Sequence, residues 1–233
     1  MPRYIPIIRR KTQSTENPFW ISYADLMTAL VMLFLVVMSI SIVAISTRPI
    51  VEKKERETDI QIIFDQLERL AAEKKLDLSI HRTDHTIRFG DKARFGFDSF
   101  QLTPQAQQNL QAFVPIMLEA KTSAKGQKWL KRIHIEGYTD ATGSYLYNVD
   151  LSLKRAESVI CALLSGELST EHRQQLQELL IIDGASITSI KESPEESRRV
   201  EVRLEFRQTG DTSQVRPLPE MPLGTCAILQ KQP

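Results

Sequence analysis

Hydrophobic and polar positions divide the chain into three stretches. From Leu26 to Thr47 no residue carries a charge, and Leu, Val, Ile and Met dominate. About 20 apolar residues in a helix cross the hydrocarbon core of a bilayer, so the run predicts one transmembrane helix over residues 19–47. From Val51 to Lys75 the pattern becomes a charged helix with a single apolar stripe. Ile60, Ile63, Phe64, Leu67, Leu70 and Ala71 recur at spacings of three and four. The stripe is too short for a coiled coil and serves as a linker helix over 48–76, pairing with its copy or packing on the distal domain.

Beyond residue 77 strands alternate with helices. Ser79–Arg82 and Thr86–Phe89 read as short strands. Thr103 and Pro104 form an N-cap and a first-turn proline, ahead of Ala106, Leu110, Phe113 and Met117 at helical spacing. Lys131–Gly137 alternates and ends on glycine, as a half-buried strand does. Leu151–Leu164 and Glu171–Ile181 read as helices, and Arg199–Phe206 alternates strictly with period two. The predicted fold class is α+β, with helices on one side of a sheet over 77–207 and a proline-rich tail over 208–233 (Pro217, Pro219, Pro222, Pro233).

Charge sets an expected orientation. Arg3, Arg9, Arg10 and Lys11 outnumber Glu16 in the arm of residues 1–18, whereas basic and acidic residues interleave after the span. The positive-inside rule then places the N-terminus in the cytoplasm and the C-terminal domain outside it. A cleaved signal peptide fits the basic start, but its apolar region runs about 7–15 residues and has no reason to carry an acid. With 233 residues, 42% hydrophobic and 25% charged, the chain has room for one span and one ordinary domain. A net charge of +1 gives no sign of a nucleic-acid partner. The two cysteines, Cys161 and Cys226, both fall in the exported part, where one disulfide or two free thiols are the alternatives.

The charged residue that stands out is Asp25. Phe19, Trp20 and Tyr23 mark the interface, and a rise of about 1.5 Å per residue puts Asp25 roughly 8–9 Å deeper than the first two. An ionised Asp at the centre of a membrane helix costs roughly 2.5–3.5 kcal/mol, so such residues usually handle ions. The alternative is a carboxylate at headgroup level that merely ends the span. In the distal domain, Asp140 at the end of a strand and Arg155 in the next helix can converge on one cleft. There Asp140 would take an ammonium and Arg155 a carboxylate. The alternative is a turn cap and a solvated helix residue.

Two families share these motifs. Phe100–Leu110, Gly137-Tyr-Thr-Asp140 with Gly143, Asn148-x-x-Leu151-Ser152-x-x-Arg155-Ala156 and Ser197-Arg-Arg-Val-Glu201 resemble, in order, the OmpA-like peptidoglycan-binding domain. The resemblance implies a periplasmic βαβαβ-type domain that binds the diaminopimelate of the cell-wall peptide. Asp140 and Arg155 match the residues holding that zwitterion, and Tyr147, Asn148 and Leu151 line the cleft. The last motif usually begins with Asn, whereas this chain has Ser197; Arg198 or Arg199 adds a contact or a structural ion pair.

Trp20–Leu30 resembles the ion-binding helix of MotB-type stator subunits. That implies Asp25 as carrier of a translocated H⁺ or Na⁺, with Ser22, Tyr23 and Thr28 beside it, and a homodimer of the chain inside a ring of MotA-like A subunits. The compact linker and the cysteine-bearing tail are most similar to the B subunits of Zorya anti-phage defence systems. A flagellar stator subunit and a passive membrane-to-wall tether are the alternatives. No Ser-His-Asp, Walker or metal-ligand pattern points to an enzyme, a cofactor or a metal. His81 and His85 stand four apart, on residues that read as strand and turn.

Overall fold

The computed structural model describes residues 18–90, 94–211, 219, 222–226 and 228. The basic arm lies outside them, as do Pro217 and Pro233 of the tail. The chain divides into two units, Met1–Val51 and Glu52–Pro233. Helix α1, Pro18–Glu73, supplies the helical part of the first and opens the second.

Within the first unit, Trp20–Val43 is 24 residues long with a mean hydropathy of 2.7, long and apolar enough to cross a membrane. Two of its serine hydroxyls are satisfied locally, as a helix in hydrocarbon requires. The hydroxyls of Ser39 and Ser41 donate to the carbonyls of Leu35 (2.7 Å) and Val37 (2.8 Å).

In the second unit the order continues as β1 (Leu78–His81), β2 (Thr86–Phe89), α2 (Pro104–Thr122), α3 (Ala124–Trp129), β3 (Leu130–Tyr138) and α4 (Tyr145–Leu164). It ends with α5 (Thr170–Leu179), β4 (Leu180–Ser186), α6 (Pro194–Ser197) and β5 (Val200–Phe206). The five strands form one sheet in the order β1-β2-β5-β3-β4. β3 and β4 are parallel, and every other neighbouring pair is antiparallel. The βαβαβ-type order runs through β2, α2, β3, α4 and β4, with β1 and β5 completing the sheet.

Alternation decides which face of the sheet is dry. Ile133 and Ile135 on β3 and Val200, Val202, Leu204 and Phe206 on β5 enter the core, where Leu110, Phe113 and Met117 of α2 and Val159 and Leu163 of α4 meet them. The intervening residues form a ladder of charge on the other face. Glu136 accepts from Arg203, the His134 ring lies between Asp183 (2.6 Å from Nδ1) and Glu205 (3.0 Å from Nε2), and Lys131 pairs with Glu205.

The linker stripe packs on its own domain. Ile60, Ile63, Phe64, Leu67, Leu70 and Ala71 are all buried in that core. Asp59 fixes the same stretch of α1, accepting from Trp129 Nε1 (2.9 Å) and from Lys125.

The elements differ from the sequence reading in several places, among them the short helix α6, which that reading did not give. Ser144 caps α4, accepting from the Tyr147 amide, so the helix begins six residues before Leu151. Ser123 closes α2 and opens α3, a short helix that sequence reading passed over. Residues Leu180 and Ile181, read as the end of a helix, open β4 alongside β3.

Candidate functional site

The turn between β3 and α4 builds the pocket. Asp140 follows the end of β3, and its Oδ1 accepts from the Thr142 amide at 3.0 Å, folding the chain back. Gly143 has φ +100, and an added Cβ would also crowd the Tyr147 ring at 3.2 Å. Asn148, 2% exposed, pins the loop by donating to the Thr142 carbonyl at 3.0 Å. Behind the turn, Gly137 lets α4 lie on β3, because a Cβ there would fall 1.9 Å from the Ser152 carbonyl oxygen.

A cavity of about 200 Å³ results, lined by all five residues expected to grip the wall: Asp140, Tyr147, Asn148, Leu151 and Arg155. They differ in accessibility. Tyr147 is 43% exposed and lies at the rim, whereas Arg155 is fully buried. The Arg155 guanidinium donates to the carbonyls of Ser99 (2.9 Å), Tyr138 (2.8 Å) and Gly96 (3.2 Å), and sits 5.2 Å from the Phe95 ring centroid. Burial pulls its pKa down to about 10, with the Asp140 charge opposing the shift. Arg155 is therefore a pillar of the pocket as well as a cation within it.

Asp140 pairs with Arg198, whose Nη1 lies 3.0 Å from Oδ2, and Arg198 is held in turn by Glu195 at 2.9 Å. Burial pushes the Asp140 carboxyl up. The hydrogen bonds from the Thr142 amide and Arg198 outweigh it and hold the pKa below the usual carboxylate value. Arg199 pairs instead with Glu201 (2.7 Å) and stacks over the Tyr138 ring at 4.1 Å. Ser197 accepts from the Lys191 amide and donates to the Ser193 carbonyl, closing the α6 loop.

Asp25 lies near the start of the apolar segment of α1, and the Thr28 hydroxyl donates to its carbonyl at 2.8 Å. Trp20 and Tyr23 meet edge to face, 6.4 Å between ring centroids. The whole window is exposed in the isolated chain. Such a surface is costly in water, at about 25 cal/mol per Å² of apolar area, and suits lipid or neighbouring helices.

Elsewhere, Cys161 of α4 and Cys226 are joined in a disulfide, Cα atoms 5.7 Å apart. His81 contacts Arg88, while His85 stacks on Phe64 and meets Phe206 edge on, so the two rings serve different neighbours.

The chain is 42% identical over 209 residues to Zorya protein ZorB of Escherichia coli O139:H28 (strain E24377A / ETEC), covering 85% of this chain and 84% of that protein. It belongs to the ZorB family. Within this ZorB-family chain, residues 94–199 match the OmpA family and residues 8–50 match the family described as membrane MotB of the proton-channel complex MotA/MotB. It is thus a MotB-like protein carrying an OmpA-like domain. Among solved structures it is similar to the periplasmic domain of Helicobacter pylori MotB, at 14% identity and TM-score 0.41, over 57% of this chain and 90% of that one. It is also similar to the cell wall anchor of the T6SS from Pseudomonas aeruginosa, at 17% identity and TM-score 0.42, over 60% and 97%.

Sequence reading of this ZorB-family member missed two contributors to the pocket and left a third open between Arg198 and Arg199. Phe97, 67% exposed, and Asp98, at φ +51, reach it from the loop before α2. Arg198 reaches Asp140 across 58 residues of sequence. The only local signal was the paired arginines before the last strand.

Proposed function

We propose that the chain is the B subunit of an ion-driven rotary motor of the inner membrane, anchored to peptidoglycan and acting in Zorya-type anti-phage defence. The observation that carries this reading is the pairing, on one chain, of a carboxylate in an apolar membrane helix with a zwitterion-sized pocket holding Asp140 and Arg155.

In this reading Asp25 carries the cation, H⁺ or Na⁺. Holding the cation cancels the charge that is expensive in hydrocarbon. A single charge crossing 100 mV releases about 2.3 kcal/mol, several times thermal energy and enough to bias a rotation step. The ring that turns is made of MotA-like A subunits, with two copies of this chain inside it. The N-terminus is cytoplasmic and the OmpA-like domain periplasmic.

A rotor needs a fixed point, and the distal pocket supplies it. The diaminopimelate end of a wall peptide carries both an ammonium and a carboxylate. Arg155 keeps the N–H groups that its three carbonyls leave over for the carboxylate, and Asp140 keeps lone pairs beyond Arg198 for the ammonium. Tyr147 closes the rim.

Asp25→Asn keeps size and polarity but cannot carry a cation in the same way. A strain with Asp25→Asn at native levels should lose phage protection in a plaque assay while the protein still co-sediments with purified peptidoglycan. Full protection in that strain would reduce the protein to a passive tether. Loss of swimming without loss of protection would instead assign it to a flagellar stator.

A further inference from the structure

A second cavity, of about 440 Å³, opens where the end of α2, the start of β3, α5 and the residue after β5 meet. It shares no residue with the wall pocket. Three cations line it. Lys131 is neutralised by Glu205 (3.3 Å) and Asp211 (3.5 Å). Lys121 and Arg207 form no ion pair with a carboxylate among the described residues. Their contacts are to main-chain oxygens: Lys121 Nζ to Leu130 (2.8 Å), and Arg207 Nη1 to Gln127 (2.8 Å) and Lys128 (3.2 Å).

Those contacts leave two ammonium hydrogens and the Nε and Nη2 side of the guanidinium without a partner among the described residues. Burial, and then the neighbouring Arg207 charge, push the Lys121 pKa down, with the Glu178 carboxylate opposing the shift. Two half-buried cations in one cavity repel each other unless an anion lies between them. The same walls also carry acceptors. Glu178 is the one carboxylate among the lining residues, and the Oε1 of Gln175 is buried with no donor among the described residues.

We propose that this cavity binds a phosphate group that still bears a proton, its charged oxygens on Lys121 and Arg207 and its P–OH donated to Glu178 or Gln175. The acceptors choose among oxyanions. Sulfate has no proton to give at neutral pH and would leave Glu178 facing a bare oxygen. A phosphodiester, as in a lipid headgroup, has no P–OH either. Inorganic phosphate keeps one at neutral pH, and a phosphomonoester, with a second pKa of about 6, keeps one on its monoanion only.

Calorimetric titration of the full chain in detergent, at constant ionic strength, tests this with inorganic phosphate, glycerol 3-phosphate and sulfate. Phosphate should give a saturable signal at least tenfold tighter than sulfate, and Lys121→Gln/Arg207→Gln should weaken it tenfold or more. Glu178→Gln should tighten sulfate and shrink the phosphate-to-sulfate ratio severalfold; that ratio decides the matter alone if the double variant does not fold. Glycerol 3-phosphate binding as well as phosphate assigns the site to monoesters, and inorganic phosphate binding alone assigns it to the free ion. No saturable phosphate signal, equal affinity for sulfate, or a ratio unmoved by Glu178→Gln overturns the proposal.

Discussion

Arg198 holds Asp140 at 3.0 Å, and both side chains are about nine-tenths buried. The acid of this pocket is thus fixed in place before any ligand meets it. Arg198→Ala strands a mostly buried carboxylate, a loss of roughly 1–3 kcal/mol. It should lower the melting temperature of the detergent-solubilised protein by several degrees and weaken co-sedimentation with peptidoglycan. A melting temperature equal to wild type would show that the pair contributes nothing to the fold.

The same pair sets a pH dependence. The Asp140 pKa is lower in the folded chain than its ordinary value, and so are those of Asp59 and Glu205. Groups with depressed folded pKa values stabilise above their unfolded pKa, and that contribution is lost as pH falls through the folded one. Melting temperature should therefore hold between about pH 5 and 7 as far as these acids are concerned, and decline below about pH 4. In Arg198→Ala the decline should be shallower, because Asp140 loses the partner that helps hold its folded pKa down. Melting curves across a pH series of both proteins check the sign.

Tyr147 and Arg155 line one cavity but should respond differently to truncation. Tyr147→Ala removes a ring that is 43% exposed, so melting should move little while peptidoglycan binding falls about tenfold or more, roughly 1.4 kcal/mol. Arg155→Ala strands the carbonyls of Gly96, Ser99 and Tyr138, at roughly 1–3 kcal/mol for each that stays buried without a donor. It should lower stability and binding together. Paired melting and co-sedimentation measurements separate the two behaviours.

Docking of α1 on the distal domain depends on Asp59. Asp59→Ala leaves the Trp129 indole N–H without its acceptor, a loss of roughly 1–3 kcal/mol. Hydrogen exchange over residues 52–73 should quicken relative to that of β3 and β5. Unchanged protection there would mean that the apolar stripe holds the helix unaided.

Cys226→Ser opens a disulfide spanning 65 residues, and loops of this size stabilise by about 2–4 kcal/mol. The variant should melt lower under oxidising conditions and match the wild type once a reductant is present.

Much of this architecture was legible because its signals are local. The strict alternation of β5 named the core face, and Thr103-Pro104 fixed the start of α2. The motif from Asp140 to Arg155 sits on one turn and one helix, so spacing allowed Asp140 and Arg155 to converge, and the family resemblance added Tyr147, Asn148 and Leu151. Non-local pairings were harder to read: Arg198 or Arg199 was expected to add a contact, but not which of them meets Asp140. Nothing near Asp140 announces Arg198, and the backbone acceptors of Arg155 come partly from a loop more than fifty residues upstream. The short run Leu180–Ile182 is apolar enough for either a helix end or a strand, and the parallel edge of β3 decided it. The stripe on α1 had two possible partners in the sequence, and burial against its own domain chose between them.

The carbonyls that grip Arg155 determine how the pocket bears load. Tension on a molecule held by the guanidinium passes at once to the backbone at Tyr138, at the end of a strand bonded on both sides, and to the Gly96–Ser99 loop. On the proposed function, a tether built this way would yield by shearing the sheet rather than by swinging a long side chain, as a stationary mount under torque requires.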